Sequence, residues 1–499
     1  MTTRWLFAEQ LGPHFQDSPD QRVLLVESTR TFARRPVHRR KAHLVLSALR
    51  HRAAELGDRA WYVKAATYAG AVREMLPQTG PLSVCDPTSY RARRFVRQLA
   101  ADGVPLDVLP ARGFAATEEE FRRWADGRGA KRLLMEDFYR EQRRRLGLLL
   151  DGDGPVGGRW NYDDQNRESP PKGATALDLD EPWWPTEDAI DAGVREDLDR
   201  MERDHGARFV GEDGPRRFAV SRAEALECLD RFLTRRLAAF GTYEDAMLRG
   251  DPWMSHSLLS APLNLGLLDP VEVARAAEDH GRAHGTRLAS VEGFVRQVVG
   301  WRDYVWHLYW YLGEDYRDRN ALDAGADLPQ WFWNLDADRE VGAACLSSAL
   351  GSVREHGWTH HIPRLMLLGN WALQQGYRPA EVTEWFRSRF VDGYDWVMTA
   401  NVVGMSQHAD GGVMATKPYV AGGAYINRMS DYCGGCRYDP KKRTGPDACP
   451  FTAGYWAFLD RNAAALQDNP RMRQPLVGLG RRDDIGLIRA TADRGEEPP

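Results

Sequence analysis

The chain has 499 residues, 43% of them hydrophobic, and a net charge of −4, which is too long for one ordinary core and points to two or three domains. That balance excludes a uniformly basic nucleic-acid binder but leaves room for a local basic face, and no apolar run reaches the roughly 20 residues a membrane-spanning helix needs. Six cysteines in a chain of this length exclude a disulfide scaffold, and MTTRWLFAEQ has no signal-peptide core, so the protein is read as cytoplasmic, where clustered thiols bind metal or do redox chemistry.

Residues 1–135 alternate short apolar runs with amphipathic helices. RWLFAEQL, RVLLVEST, RAWYVKA, LSVCDP and PLDVLP read as buried strands. HRRKAHLVLSALRHRAAELG and SYRARRFVRQLAADG read as helices between them. This alternation predicts an α/β domain with a doubly wound parallel sheet. No G-x-G-x-x-G follows the first strand, so the dinucleotide fingerprint is absent. Residues 136–212 fill with Gly, Pro, Asp and Asn and read as an interdomain linker. Within it, Arg143, Arg144 and Arg145 read as a solvated helix face or a phosphate contact.

Residues 213–499 read as a large all-α domain. SRAEALECLDRFLTRRLAAFG opens on a capping box, Ser221 with Glu224, and stops at Gly241. DPVEVARAAEDHG starts on a proline, as helices tolerate. Nine of the 17 tryptophans fall between Trp301 and Trp396, as a packed aromatic core, an aromatic box or a chain of redox-active indoles. The tail after about Gly478 reads as frayed.

Four constellations carry chemistry. Cys433 and Cys436 form C-x2-C, and Cys449 follows after twelve residues with Pro450 behind it. Three thiolates on one loop need a fourth ligand to close a tetrahedral zinc site or a [4Fe-4S] cluster, and spacing leaves the two about even. Cys345 is preferred as that ligand over Cys228 and Cys85. In PWMSHSLLSAPLNLGLLDP, Ser255, Ser257, Ser260 and Asn264 offer donors to a pyrophosphate. Arg302, in the aromatic GWRDYVWHLYW, needs a carboxylate partner, and Asp392 or Asp395 of FVDGYDW can supply it. In HGWTHHIPRLM, His356 lies one helical turn before His360 and could pair with it on a metal. His360 and His361 diverge by about 100° on a helix and are candidates for acid–base chemistry near neutral pH.

In this order, together with FYREQRRRLGLLLDGDGPVGGRWNYDDQNR, FGTYEDAM, YDWVMTANVVGMSQHADGG and TKPYV, these motifs resemble the prokaryotic iron-sulfur branch of the cryptochrome/photolyase family, which includes bacterial (6-4) photolyases. The resemblance covers nearly the whole chain. It implies an antenna domain carrying 6,7-dimethyl-8-ribityllumazine and a helical domain binding U-shaped FAD. It implies a [4Fe-4S] cluster on Cys345, Cys433, Cys436 and Cys449. Ser257, Ser260 and Asn264 would follow the FAD diphosphate, and Arg302 and Asp392 would pair near the isoalloxazine. Trp385 would relay electrons, with Trp333 as a further candidate and Phe386 standing where a Tyr would relay better. His360, His361 and Tyr419 would face the lesion. The implied activity is light-driven repair of (6-4) photoproducts in UV-damaged DNA by a monomer with no membrane partner. The alternative is a blue-light photoreceptor of the same fold.

Overall fold

The computed structural model describes residues 2–129, 132–335, 340–493 and 497–499. Its first half is built on six strands, β1 (Thr3–Leu6), β2 (Val23–Ser28), β3 (Val37–His38), β4 (Ala60–Ala65), β5 (Leu82–Cys85) and β6 (Leu106–Leu109). Five form one parallel sheet in the order β4-β2-β1-β5-β6. Every residue of β1, β2 and β5 is buried. That is why these strands read as continuous apolar runs rather than alternating ones, since a parallel sheet is covered on both faces.

The chain winds outward from β1 through β2 to β4, then returns to β5 and β6. The order therefore reverses between β1 and β5, where the loops after the two strands leave a crevice. Glu9 and Thr88 meet there, the Glu9 carboxylate accepting from the Thr88 amide and hydroxyl at 2.8 Å. The second half of the chain closes over this point. The Leu11 amide donates to the Leu265 carbonyl at 3.1 Å. A Cβ on Gly12 would lie 2.1 Å from the Gly266 carbonyl oxygen, so only glycine permits this approach.

Between the halves, β7 (Leu150–Asp151) and β8 (Gly154–Pro155) make a small hairpin, and β9 (Phe209–Val210) pairs in parallel with β3. Of the three consecutive arginines, Arg144 is exposed and lies over the Trp160 ring, while the other two are clamps. Arg143 is buried and donates to the carbonyls of Leu148, Leu149 and Trp160, and Arg145 donates to that of Ala115.

From Arg222 onward the chain is helical. Ser221 accepts from the Glu224 amide at 3.2 Å. The Glu224 carboxylate turns to Arg216 and the Val220 amide instead of closing the reciprocal capping box. The helix also breaks earlier than expected, at Arg236, between Arg222–Arg235 and Leu237–Tyr243. Three helices widen into π turns, at Arg296–Arg302, Pro363–Gly369 and Ala400–Ser406, a departure that collects at functional sites. The C-terminal segment is not frayed across its described residues. Ile485–Ala492 is helical and buries Ile488, and the Pro499 carbonyl accepts from the Ala343 amide. One apolar cluster runs from Leu6 and Leu49 through Phe138 to Trp306 and Trp396, so sheet and helices share a core.

Candidate functional site

The two adjacent histidines lie just beyond a helix end. Helix Ala344–His356 stops at Gly357, whose φ of +60° is the left-handed value that ends helices. His356 therefore does not pair with His360. Its ring packs on Trp253 at 4.9 Å. The partner of His360 is His256, stacked at 4.4 Å with the rings 24° apart. His256 also meets His361 edge-on at 5.3 Å.

The three imidazoles differ in environment. Burial, followed by the neighbouring charges, holds His256 and His360 well below the ordinary histidine range. Both stay neutral. The His361 side chain is 51% exposed, and its Nε2 lies 3.3 Å from Asp245 Oδ1. Burial pushes the Asp245 carboxyl up, but the His361 hydrogen bond and charge, with Arg167 and Arg296, outweigh it and hold the group below its usual value. Burial, with the Asp245 charge and against those of Arg296, His361 and Arg167, raises the adjacent Glu244 to about 7. Tyr419 is half-buried within electrostatic reach of Asp245 and Arg167, and burial raises its phenol. His361, Asp245, Arg167 and Tyr419 thus share one mouth, and exposed Arg428 lies over Tyr425 on the same side.

Behind the mouth, Asp392 is the polar hub, though not with the expected partner. Arg364 grips it through both guanidinium nitrogens at 2.9 and 3.0 Å. Ser260 donates to its carboxylate at 2.7 Å, and Asn264 to its main-chain carbonyl at 3.2 Å. Arg302 makes no pair with Asp392. It donates to the carbonyls of Gly113 and Leu263 and stacks over Phe114 at 4.5 Å. With no carboxylate in contact, burial lowers its guanidinium to about 10. The reason is reach. Both leave π turns, but Arg364, one turn beyond His360, faces Asp392 directly, whereas Arg302 turns to the carbonyls of Gly113 and Leu263. Ser257 lies apart from this hub, on a cavity of about 280 Å³ also lined by Arg231, Arg235, Arg236 and His256, with Asp180 and Glu181 beside them. That set offers cationic and hydroxyl donors suited to a diphosphate.

The four cysteines Cys345, Cys433, Cys436 and Cys449 line one cavity, with Gly423, Tyr432 and Phe451 completing its wall. All are free thiols. Cys228 and Cys85 are elsewhere, the first by the Ser257 carbonyl and the second beside Arg4 in the sheet. Cys345 is the second residue of its helix, and Cys449 caps helix Pro450–Arg461. Two positive helix ends therefore face the cavity. The Leu346 amide reaches the Cys345 sulfur, and the amides of Phe451 and Thr452 reach that of Cys449. Burial still pushes these thiols up, Cys433 to about 12, so thiolates here need a cationic centre. Among the described residues no three of these sulfurs lie within 4.8 Å of one another.

Trp385 is fully buried, its indole N–H donating to the Phe332 carbonyl at 2.7 Å. Its ring neighbours are Phe332, Phe386 and Phe390. Trp333 is not among them; Arg389 covers its ring instead. Residues 336–339, in the long segment between Trp333 and Cys345, lie outside the described residues.

The model of the deoxyribodipyrimidine photo-lyase-related protein family matches residues 4–209. A (6-4) photolyase of Agrobacterium fabrum is 42% identical over 456 residues, 89% of this chain and 87% of the relative. The chain belongs to the photolyase-related family. Two solved structures share its fold. A class III photolyase from Agrobacterium tumefaciens aligns over 100% of this chain and 94% of its own, with a TM-score of 0.54 and 16% identity. A Synechocystis cryptochrome aligns over 81% and 82%, with a TM-score of 0.52 and 11% identity. No helix of this photolyase-related chain, among the described residues, is long and apolar enough to cross a membrane.

Sequence reasoning missed three participants. His256 stands between two serines that drew the attention as phosphate donors. Asp245 sits in FGTYEDAM, a stretch with no histidine or cysteine to mark it as chemical. Arg364 lies in THHIPRLM, where the histidines hid it. A useful signal for Arg364 was its distance of one helical turn from His360, which places both on one face.

Proposed function

We propose that this chain is a light-driven DNA-repair lyase that reverts pyrimidine (6-4) pyrimidone photoproducts. The observation that carries the reading is a half-exposed histidine, His361, oriented by Asp245 at a mouth shared with Tyr419, in a chain 42% identical to a (6-4) photolyase. FAD is assigned to the space behind that mouth. Ser257 and the cavity arginines would hold its diphosphate, and Asp392, fixed by Arg364, Ser260 and Asn264, would lie by its ring. When bound and reduced, the flavin supplies an electron to the lesion under blue light.

The chain's own residues do the rest. The lesion must leave the base stack to reach a buried cofactor. His361 holds a proton at the mouth and gives it to the migrating group as general acid, while Asp245 fixes the ring and stabilises its charged form. His360, buried and neutral, backs it. Tyr419 borders the flipped base. Exposed arginines such as Arg428 would hold backbone phosphates without reading sequence. A [4Fe-4S] cluster is assigned to Cys345, Cys433, Cys436 and Cys449, supported by the one cavity they line and the two helix ends. The ribityl-lumazine antenna is assigned to the crevice between β1 and β5, near Glu9 and Thr88. Division into an antenna domain 1–135, a linker 136–212 and a helical domain 213–499 belongs to the same reading.

The test is repair under blue light. Pre-reduced protein is given oligonucleotides bearing either a (6-4) product or a cyclobutane dimer. Light-dependent loss of the (6-4) product, abolished in His361→Ala with flavin retained, is the expected result. Repair of neither lesion by flavin-loaded protein would replace this reading with that of a photoreceptor.

A further inference from the structure

His256, His360 and His361 each bring a ring nitrogen within 4.8 Å of the others. They come from two separate segments and meet only through the fold. His256 Nε2 and His360 Nδ1 are buried without a hydrogen-bond partner, on residues only 8% and 3% exposed. Buried polar atoms left unsatisfied are costly and call for a ligand or another explanation. Asp245 holds His361 by Nε2 and leaves its second nitrogen for a ligand. A carboxylate behind a histidine is the arrangement that orients imidazole toward a metal.

We propose that His256, His360 and His361 form a three-imidazole site for a borderline divalent transition ion, Zn²⁺ or Cu²⁺, with Asp245 as positioning residue. The donor set selects this class, because Mg²⁺ and Ca²⁺ require oxygen ligands and imidazole suits zinc and copper. Three nitrogens with a fourth position open past exposed His361 match an accessible zinc site. Closing on zinc at about 2.0–2.1 Å needs the nitrogens to approach to about 3.4 Å, a shift of up to about 1.4 Å. Arg364 and Arg236 oppose a cation here, but Asp392 pairs with Arg364, and Asp245 and Glu244 bring acidic groups to the other side. Occupancy ties up the general acid, so Zn²⁺ is an inhibitor of repair. That consequence rests on the proposed function; the binding does not.

The experiment is a titration of Zn²⁺ into the flavin- and cluster-containing protein in the dark, followed by calorimetry. Pulsed EPR of added Cu²⁺ reads imidazole nitrogen couplings independently. Wild type should bind one ion that His361→Ala, a change at an exposed position that spares the fold, weakens at least about tenfold. Asp245→Asn should weaken it about 10–100-fold. His256→Ala should lose one nitrogen coupling. Coincident zinc isotherms for wild type and His361→Ala, or a copper signal without imidazole coupling, would overturn the site. A protein that binds zinc as stated yet repairs no lesion without it would leave the site standing and remove the functional reading.

Discussion

Asp392 shows how much one buried carboxylate can organise. It satisfies Arg364 twice, Ser260 once, and through its carbonyl Asn264. The pair is mostly buried, with side chains 18% and 5% exposed, so neutralising one partner strands the other's charge. Asp392→Asn should cost about 3–5 kcal/mol in urea unfolding and release flavin on gel filtration; unchanged stability and flavin content would sink the hub. The sequence marked Asp392 but not which arginine meets it. Arg302 sits in an aromatic helical stretch and Arg364 in the aliphatic IPRLMLL, and the choice depends on which way a turn points. The cysteines were legible for the opposite reason. Cys433, Cys436 and Cys449 share one loop, and only Cys345 had to be found across the fold. Cys345→Ala should lose the iron of the proposed cluster and its broad visible absorption, whereas Cys85→Ala, beside Arg4 in the sheet, should keep both.

At the scale of elements, strands were easier to read than helix ends. All five expected runs are strands of the parallel sheet; burial on both faces makes the three central ones, β1, β2 and β5, apolar, while the edge strands β4 and β6 are only partly buried. Helix interruptions carry weaker signals. The break at Arg236 follows no Pro or Gly, and the π turns leave no mark in hydrophobic period. Tertiary contacts decide both. The linker illustrates such contacts. Its Trp184 meets Trp253 edge-on at 5.0 Å, and Trp253 stacks on buried Trp358 at 5.1 Å. Three indoles thus pin a segment with little regular structure against the helices, next to the Ser257 cavity that Trp183 lines. Aromatic pairs of this kind contribute about 0.5–1.5 kcal/mol beyond burial. Trp184→Ala should therefore leave global unfolding within about 2 kcal/mol of wild type but speed limited proteolysis between residues 167 and 183. Equal cleavage rates would mean the loop is held by something else.

For the whole molecule, the decisive contacts join the first helix of the sheet half to the helical half. Lys41 donates to the carbonyls of Arg387 and Gly393, and burial lowers its ammonium to about 7. His38 does two tasks. Its Nδ1 accepts from the Arg40 amide, capping helix Arg39–Leu56, and its Nε2 lies 3.1 Å from the Arg354 carbonyl. One nitrogen must accept and the other donate, which only a neutral ring does. Burial, with the charges of Arg40 and Arg389, lowers His38 to about 3, against hydrogen bonds to the carbonyls of Arg354 and Val353 that favour the charged form. Between about 6.5 and 3 the unfolded chain thus holds a proton that the folded chain refuses. Stability falls as pH drops through that window, by about 1.4 kcal/mol per unit for this one group. Glu244, raised to about 7, works in the opposite sense, gaining stability as pH falls from about 7 toward its unfolded value of about 4.5. The difference between wild type and His38→Gln isolates the histidine. Urea midpoints measured from pH 7.5 to 5 should fall more steeply in wild type, with a gap growing to about 2 kcal/mol at pH 5. Because the two halves share one apolar core, sheet and helix signals should shift together. Parallel pH profiles for the two proteins would mean that His38 takes its proton without leaving the interface, and that acid weakens the molecule somewhere else.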